Sequence, residues 1–219
     1  MIYAIFRTIG LTLGYPLQLL FFKRKTYYED KKSTQLMKGG KLIITNHFNM
    51  FDYVLTSFVV YPRKLNVVAS EMPFKNKFFR FGMKFFGAIQ ANRVSKNMKF
   101  IDECANVIVN KKQLVQIYPE GRNTPDGKIH EFKHSYLVIA HRAGAPILPI
   151  ITDGNYGIFK RVSVLIGKEI NIKELINSKS RTPSREELER ANDYVYKKVL
   201  ELRMQLETLK SNKKRKSVK

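Results

Sequence analysis

Short apolar runs alternate along the chain with longer segments of helical periodicity. The strand-like runs cover residues 41–45, 66–70, 87–91, 114–118, 146–152 and 162–166. Helical patterns lie between them, near residues 53–61, 74–86, 95–111 and 133–143. Short strands that alternate with helices are typical of crossover units. The pattern therefore predicts an α/β fold with a largely parallel sheet that helices cover on both sides.

The N-terminal segment is apolar and is flanked by positive charge. Residues 8–22 form a mostly apolar stretch, with Arg7 before it and three basic residues, 23–25, after it. This stretch of 15 residues is shorter than the roughly 20 that a helix needs to span a bilayer. It predicts an interfacial helix pair or a re-entrant membrane anchor; the alternative is a segment that simply covers the domain core.

A second segment combines phenylalanine with lysine and arginine. Its phenylalanines have the spacing of one helical stripe, and four basic residues lie between them. The stripe consists of Phe74, Phe78, Phe81 and Phe85. It predicts either a helix that faces a membrane or a helix that packs on the core.

A long amphipathic helix is predicted near the C-terminus. Ser184 and Glu187 have the spacing of a capping box and follow Pro183 directly. The helix carries one apolar stripe, which consists of Leu188, Ala191, Val195, Val199, Leu202 and Leu206. The chain therefore divides into a membrane-associating anchor (1–28), a main domain (36–175), and a C-terminal helix (183–212) with a basic tail to residue 219.

The chain is strongly basic, with 40 lysine and arginine residues against 18 acidic residues and a net charge of +22. This charge predicts a polyanionic partner, either nucleic acid or an anionic membrane surface. The sequence has no recognition-helix signature, no zinc-finger pattern and no aromatic strand motif of the RNA-binding type. Nucleic acid is therefore the less favoured partner, and we expect a membrane-associated protein at the cytoplasmic face. The basic tail is either a further phosphate contact or a solvated terminus.

A histidine and an aspartate follow the first strand of the main domain. Histidine is the side chain best suited to take a proton near neutral pH, and a carboxylate can fix its tautomer. His47 and Asp52 are five residues apart, which is the wrong spacing for one face of a helix. The chain must therefore turn over residues 48–51, and we expect Asp52 to cap a helix over residues 54–60. The pair predicts a general base; the alternative is an ordinary strand-to-helix turn.

Four sequence blocks follow one another along the main domain. They cover residues 46–52, residues 87–93 (ending in Arg93), residues 117–127 with Phe132 and Lys133 after them, and residues 145–150. Together they resemble the 1-acylglycerol-3-phosphate O-acyltransferase (lysophosphatidate acyltransferase) family of glycerolipid acyltransferases. The resemblance covers roughly residues 40–170, and it identifies the main domain as an acyltransferase domain.

The resemblance implies roles for the residues that match the blocks. His47 would be the general base on the hydroxyl group of the acceptor, and Asp52 would orient it. Pro146 would shape the acyl-donor side of the site. Backbone amides near the turn at residues 120–121 are candidates for stabilising the oxyanion.

The resemblance also implies a binding site for the glycerol phosphate head group. Its members are Arg93, Glu120, Gly121, Arg122 and Asn123. The third block of the family usually reads Glu-Gly-Thr-Arg-Ser, whereas here Arg122 stands at the threonine position and Asn123 at the arginine position. Either Arg122 reaches the phosphate from one residue earlier, or Arg93 makes more of that contact.

Other routes of acyl transfer find no support in the sequence. The single cysteine, Cys104, lies in a segment of helical periodicity, which predicts a buried structural thiol. A Gly-x-Ser-x-Gly nucleophile elbow is absent. One cysteine excludes a disulfide framework and a cysteine-based zinc site, and the other three histidines lack metal-ligand spacing. Direct attack by a substrate hydroxyl remains, with no metal and no cofactor.

We therefore expect an enzyme that esterifies the free hydroxyl of a lysophosphatidate with a fatty acyl group. The donor would be a thioester of coenzyme A or of acyl carrier protein, and the product would be phosphatidate. His47 would lie in the crevice at the carboxyl ends of the strands, where open α/β sheets usually bind ligands. Two alternatives stay open: an acyltransferase for glycerol-3-phosphate or another lysophospholipid, and a basic module that binds membrane or nucleic acid without catalysis.

Overall fold

The computed structural model describes residues 2–30, 38–49, 51–91, 98–157 and 160–216. Its elements, in chain order, are α1 (Ile2–Phe22), β1 (Lys25–Tyr28), β2 (Lys41–Thr45), α2 (Asp52–Val59), β3 (Leu65–Ser70), α3 (Met72–Lys75), α4 (Lys77–Phe85), β4 (Ala88–Ala91), α5 (Lys99–Val109), β5 (Leu114–Ile117), α6 (Ser135–Ala143), β6 (Ile147–Thr152), β7 (Ser163–Ile166), α7 (Ile172–Leu175) and α8 (Arg185–Lys216).

The seven described strands form one sheet in the order β1-β7-β6-β2-β5-β3-β4. Neighbouring strands are parallel except for β6 and β7, which are antiparallel. Strand β2 is central, and all five of its residues are buried. The predicted α/β fold with a largely parallel sheet is confirmed, and the six predicted strands are found with ends within one residue.

Side chains of β2 alternate between two hydrophobic clusters, as successive residues of a strand should. Leu42 and Ile44 join a large cluster with residues of α5, α6 and α8, whereas Ile43 joins a smaller one with Leu55 of α2. Cys104 lies in the large cluster with no exposed surface, and burial raises the pKa of its thiol. The predicted burial of this cysteine is confirmed.

Helix α8 begins with the predicted capping box. The Ser184 hydroxyl accepts a hydrogen bond from the Glu187 amide at 3.2 Å, and the Glu187 carboxylate accepts one from the Ser184 amide at 3.0 Å. All six residues of the predicted apolar stripe are buried. The helix is longer than predicted, because it continues into the basic tail as far as Lys216.

Two short elements are not predicted by the sequence. Strand β1 lies in the segment that the sequence groups with the anchor, and it pairs in parallel with β7 at one edge of the sheet. Helix α7 has only four residues. Both are too short for a hydrophobic period to emerge, so their structure depends on the partners against which they pack.

The prediction of a single helix over residues 74–86 is wrong, because Asn76 interrupts the helix and separates α3 from α4. This residue is extended, and its side chain accepts a hydrogen bond from the Phe78 amide, so it caps the start of α4. The break separates the phenylalanine stripe: Phe74 is buried, while 82% of Phe78 and 59% of Phe81 are exposed. Neither a uniform membrane-facing stripe nor a uniform core-facing stripe therefore exists.

The N-terminal segment forms one helix, α1, where the sequence predicts a helix pair or a re-entrant segment. Arg7 is buried and donates hydrogen bonds to the carbonyl oxygens of Leu65 and Phe86, which fixes the helix to the sheet. Other α1 side chains remain exposed: Ile5, Phe6, Ile9 and Leu13. Within the described residues, no helix combines the length and the apolarity that crossing a bilayer requires.

Candidate active site

His47 leaves the sheet at the carboxyl end of its central strand, two residues after β2 ends. The residue before it, Asn46, ties this point to the end of β6. The Asn46 amide donates to the Thr152 carbonyl oxygen at 3.0 Å and accepts from the Thr152 amide at 2.9 Å. The backbone that carries His47 is therefore held between the ends of two neighbouring strands, as the crevice prediction requires.

The turn over residues 48–51 brings the predicted pair together. His47 Nδ1 lies 3.1 Å from Asp52 Oδ2, and the Asp52 side chain is 1% exposed whereas that of His47 is 22% exposed. An ionised carboxylate only accepts hydrogen bonds, so the partner nitrogen of a neutral ring carries the proton. The lone pair is then on Nε2, the nitrogen that can take a proton from a substrate.

Asp52 does not cap the following helix, so that prediction is wrong. Helix α2 begins at Asp52 itself, with Phe51 at the capping position, and the Asp52 carboxylate turns back toward the loop. Its Oδ2 accepts from the Asn49 amide at 2.8 Å as well as from His47. Its Oδ1 accepts from the hydroxyl of Tyr156. Both carboxylate oxygens therefore accept hydrogen bonds inside the protein, from His47, from its loop and from Tyr156.

The imidazole ring stacks on Tyr118, which follows β5, the strand next to β2. The ring centroids are 3.8 Å apart and the planes differ by 16°. Burial, with a smaller effect of the Asp52 charge, raises the pKa of Tyr118, so this phenol stays neutral. Stacking on one side and the carboxylate at Nδ1 together fix the plane of the ring.

Glu120 connects the loop of residues 118–130, the Glu120 loop, to the histidine. Its Oε1 accepts from the His47 amide at 3.3 Å, and its Oε2 accepts from the Thr124 hydroxyl and the His130 amide. Thr124 in turn donates to the His47 carbonyl oxygen through its amide and its hydroxyl. Burial raises the pKa of Glu120. Its carboxylate oxygens are thus engaged inside the protein, in contacts that position His47.

A cavity of about 690 Å³ opens beside His47. Apolar side chains from β3, α4 and their neighbours form much of its wall: Tyr53, Val54, Val67, Val68, Ala69, Met83, Phe86, Ala91, Phe100 and Ile117. The polar part of the wall comes mainly from the Glu120 loop and the start of α6: Gly121, Arg122, Asn123, Lys133 and Ser135. The cavity therefore combines an apolar lining with cationic groups and one histidine.

Two cations line the polar part of the cavity. Arg122 Nη2 donates to His130 Nδ1 at 3.2 Å, and His130 Nε2 lies 2.8 Å from an oxygen of Asp126. Lys133 crosses the turn at Gly121, where a β-carbon would lie 3.0 Å from the lysine Cδ and the backbone φ is +66°. Only glycine allows this close approach without strain. The sequence blocks include Lys133 but give no reason to select it as a site residue.

The structure brings most of the predicted site residues together, but not all of them. His47, Gly121, Arg122 and Asn123 line the cavity, and Asp52 and Glu120 lie behind His47. Arg93 lies outside the described residues.

Pro146 precedes β6, which runs parallel to β2 with Ile147 opposite Leu42. It therefore lies at the opposite end of the sheet from His47 and does not line the cavity. The geometry gives no support to a donor-binding role for this residue.

Comparison with known proteins gives a consistent picture. The acyltransferase family model matches residues 23–153. The Caenorhabditis elegans protein acl-2, provisionally named a 1-acyl-sn-glycerol-3-phosphate acyltransferase, is 27% identical over 117 residues, or 52% of this chain and 41% of that protein. A 1-acyl-sn-glycerol-3-phosphate acyltransferase of Cocos nucifera is 25% identical over 129 residues, 57% of this chain and 41% of that protein. The chain thus spans less than half the length of these relatives.

The fold is also found among solved structures. The crystal structure of the 1-acyl-sn-glycerophosphate (LPA) acyltransferase PlsC from Thermotoga maritima superposes with a TM-score of 0.59 at 18% identity. The match covers 90% of this chain and 78% of that one. At this identity the likeness concerns the fold alone.

Proposed function

The chain belongs to the acyltransferase family, and on this premise we propose that it transfers a fatty acyl group from a thioester to the free hydroxyl of a lysophosphatidate. The observation that carries the proposal is the His47–Asp52 pair beside a cavity with an apolar wall and two cations. A lysophosphatidate and its acyl donor need these three features: a base for the hydroxyl, apolar surface for the chain, and positive charge for the phosphate.

The reaction follows from the geometry of the pair. His47 Nε2 takes the proton of the acceptor hydroxyl while that oxygen attacks the thioester carbonyl carbon. The new carbon–oxygen bond forms, the carbon–sulfur bond breaks, and the departing thiolate takes the proton from the imidazolium. Asp52 stabilises the imidazolium through Nδ1. Cys104 is buried in the large core cluster and does not line this cavity, so an acyl-cysteine intermediate has no place in the scheme.

The oxyanion formed during attack needs hydrogen-bond donors. The Gly121 amide already donates to the Tyr118 carbonyl oxygen at 3.0 Å, so this member of the predicted set is engaged. The next two residues of the turn, Arg122 and Asn123, also line the cavity. We propose that their backbone amides serve as the donors.

The two cations should bind the phosphate of the acceptor. We expect Arg122→Ala and Lys133→Ala each to raise the Michaelis constant for lysophosphatidate about 10- to 100-fold, because a hydrogen bond between charged groups contributes about 1.5–3 kcal/mol. The Michaelis constant for the donor should change less than threefold. Initial rates with each substrate varied in turn measure both constants.

Lys128→Ala provides the matched control, because this residue belongs to the same loop but does not line the cavity. Arg93→Ala tests the alternative in which that arginine makes the main phosphate contact. An equal increase of both Michaelis constants in the Arg122 and Lys133 variants would contradict a role specific to the acceptor.

The identity of the acceptor and of the donor needs a direct experiment. Purified protein in vesicles is supplied with acyl-coenzyme A or with acyl carrier protein thioester, and with lysophosphatidate, glycerol-3-phosphate and neutral lysophospholipids as acceptors. Mass spectrometry identifies the products. If phosphatidate forms faster than every other product, the proposal is supported. If another acceptor is preferred, that acceptor replaces lysophosphatidate as the proposed substrate. A non-catalytic binding module would give no product with any pair.

We further propose that the protein binds the cytoplasmic, anionic face of a membrane through α1, α3 and α4. Helix α1 packs against α4, and both expose large apolar side chains, including Phe6, Leu13, Phe78 and Phe81. Exposed basic residues share α3 and α4 with them: Lys75, Lys77, Arg80 and Lys84. Apolar side chains beside basic ones suit the boundary between lipid chains and phosphate groups.

The double substitution Phe78→Ser and Phe81→Ser should lower the affinity for vesicles of 70% phosphatidylcholine and 30% phosphatidylglycerol about 100-fold or more. Each exposed phenylalanine that enters the lipid contributes about 1.5–3 kcal/mol, and high salt does not screen this part. Sedimentation with vesicles at low and high salt measures this affinity and its dependence on salt. Met204→Ser on α8 is the control, because Met204 is also exposed. Equal sedimentation of all three proteins would contradict this membrane surface.

A further inference from the structure

The loop that follows β6 packs directly against the turn that carries the base. Residues 153–157, here called the Tyr156 loop, contain Gly154 with a backbone φ of +67°. A β-carbon at this glycine would lie 2.9 Å from the ring of Phe48. Glycine therefore permits both the left-handed backbone and the close approach of the loop to the residue after His47.

The Tyr156 loop is fixed by the C-terminal helix. Arg203 of α8 donates to the Thr152 carbonyl oxygen at 3.0 Å, and its guanidinium lies 5.3 Å from the centre of the Phe48 ring. Lys210 of α8 lies 3.0 Å from the carboxylate of Asp153, a side chain that is 1% exposed. Arg203 and Asn46 thus hold Thr152, the residue before the loop, and Lys210 holds Asp153 within the loop.

Tyr156 reaches from this loop to the catalytic pair. Its hydroxyl donates to Asp52 Oδ1, while Asp52 Oδ2 accepts from His47 and from the Asn49 amide. Burial and, next, the Asp52 charge raise the pKa of Tyr156, so the phenol keeps its proton and stays a donor. Tyr156 does not line the cavity.

We propose that Tyr156 is a positioning residue for acyl transfer, which holds the Asp52 carboxylate in the plane that serves His47 Nδ1. This inference rests on the proposed function. Donors on Oδ2 alone would leave the carboxylate able to rotate about its bond to the β-carbon. A third donor on the other oxygen removes that freedom. The bond to Nδ1 is then kept in place as the imidazolium forms.

The substitution Tyr156→Phe removes the hydroxyl and keeps the ring. We expect kcat for the esterification of lysophosphatidate to fall about 10-fold, since a hydrogen bond to a charged group is lost. The Michaelis constants of both substrates should stay within twofold, because the residue does not contact the cavity. Tyr194→Phe, at an exposed position of α8, is the matched control and should leave kcat unchanged.

A double-mutant cycle with Asp52→Ala separates positioning from mere packing of the loop. If Tyr156 acts through the carboxylate, Tyr156→Phe should cause no further loss of kcat once Asp52 is alanine. A further 10-fold loss in that background would overturn the proposal, as would wild-type kcat in the single variant. Either of these two outcomes would overturn only the role of Tyr156. The proposed function would still stand if the wild-type protein transfers the acyl group and His47→Ala does not.

The four proteins of this cycle, namely the wild type, Tyr156→Phe, Asp52→Ala and the double variant, are also compared by urea unfolding, a measurement that does not depend on activity. The two substitutions should be non-additive in the unfolding midpoint, because each removes one partner of the same hydrogen bond. Additive midpoints would overturn the contact on which the proposal depends. Absence of transfer by the wild-type protein with every acceptor would instead overturn the proposed function, and the midpoints would still test the contact.

Discussion

Replacement of His47 by alanine should lower kcat for acyl transfer about 10²–10⁴-fold, the usual contribution of a positioned general base. The imidazole lines the cavity, with Nδ1 on Asp52 and one face on Tyr118, so the substitution removes the Nε2 atom that would take the proton. Binding to vesicles should stay within twofold, because the exposed residues of α1 and α4 are untouched. Rates with radiolabelled donor and vesicle sedimentation measure the two effects.

His134→Ala serves as the control for this experiment. His134 precedes α6, is half-buried, and does not line the cavity. Its substitution should change kcat less than threefold. Folded His47→Ala protein with kcat within threefold of the wild-type value would eliminate the general-base mechanism, and with it the enzymatic interpretation of the site.

Asp52→Asn should also be severely impaired, with a loss of kcat of about 10²-fold or more. Three donors, from His47, Asn49 and Tyr156, point at the carboxylate. An amide offers only one oxygen to them, and its NH₂ group faces one of the donors instead. It also cannot stabilise an imidazolium by charge, and it favours the wrong tautomer of the histidine.

The structure offers a matched control for this substitution in the pair Asp126 and His130. These residues are also a carboxylate and a histidine in contact, at 2.8 Å, but both are substantially exposed. Asp126→Asn should lower kcat less than threefold. Circular dichroism and thermal unfolding verify that both variants fold. Equal effects at the two positions would show that the charge of Asp52 has no special role.

The sequence predicts the centre of the molecule well for a physical reason. Strand β2 is buried on both faces, so it reads as an uninterrupted apolar run, and the end of such a run locates His47. The distance to Asp52 then requires a turn, and the structure has that turn. The prediction that Asp52 caps α2 is wrong, because an aspartate near a helix start usually caps it, whereas here the contacts with His47 and Tyr156 turn the carboxylate toward the loop.

The roles of residues that act through long-range contacts could not be predicted from the sequence. Tyr156 meets Asp52 across 104 positions of the chain, and no periodicity links them. Tyr118 and Lys133 acquire their roles only when β5 and α6 are placed beside β2. The break at Asn76 has a local cause, an asparagine that caps α4, but the phenylalanine spacing continues through it and conceals it.

The position of β2 in the sheet has a consequence for how the molecule unfolds and how it can change. Amide hydrogens of the central strand should exchange with solvent only on global unfolding, so His47 is attached to the most persistent part of the fold. Part of the apolar cavity wall comes from Val67, Val68 and Ala69 of β3, next to β4 at the edge of the sheet. His47 is thus attached to the centre of the sheet, whereas part of the wall that would contact an acyl chain lies close to the β4 edge.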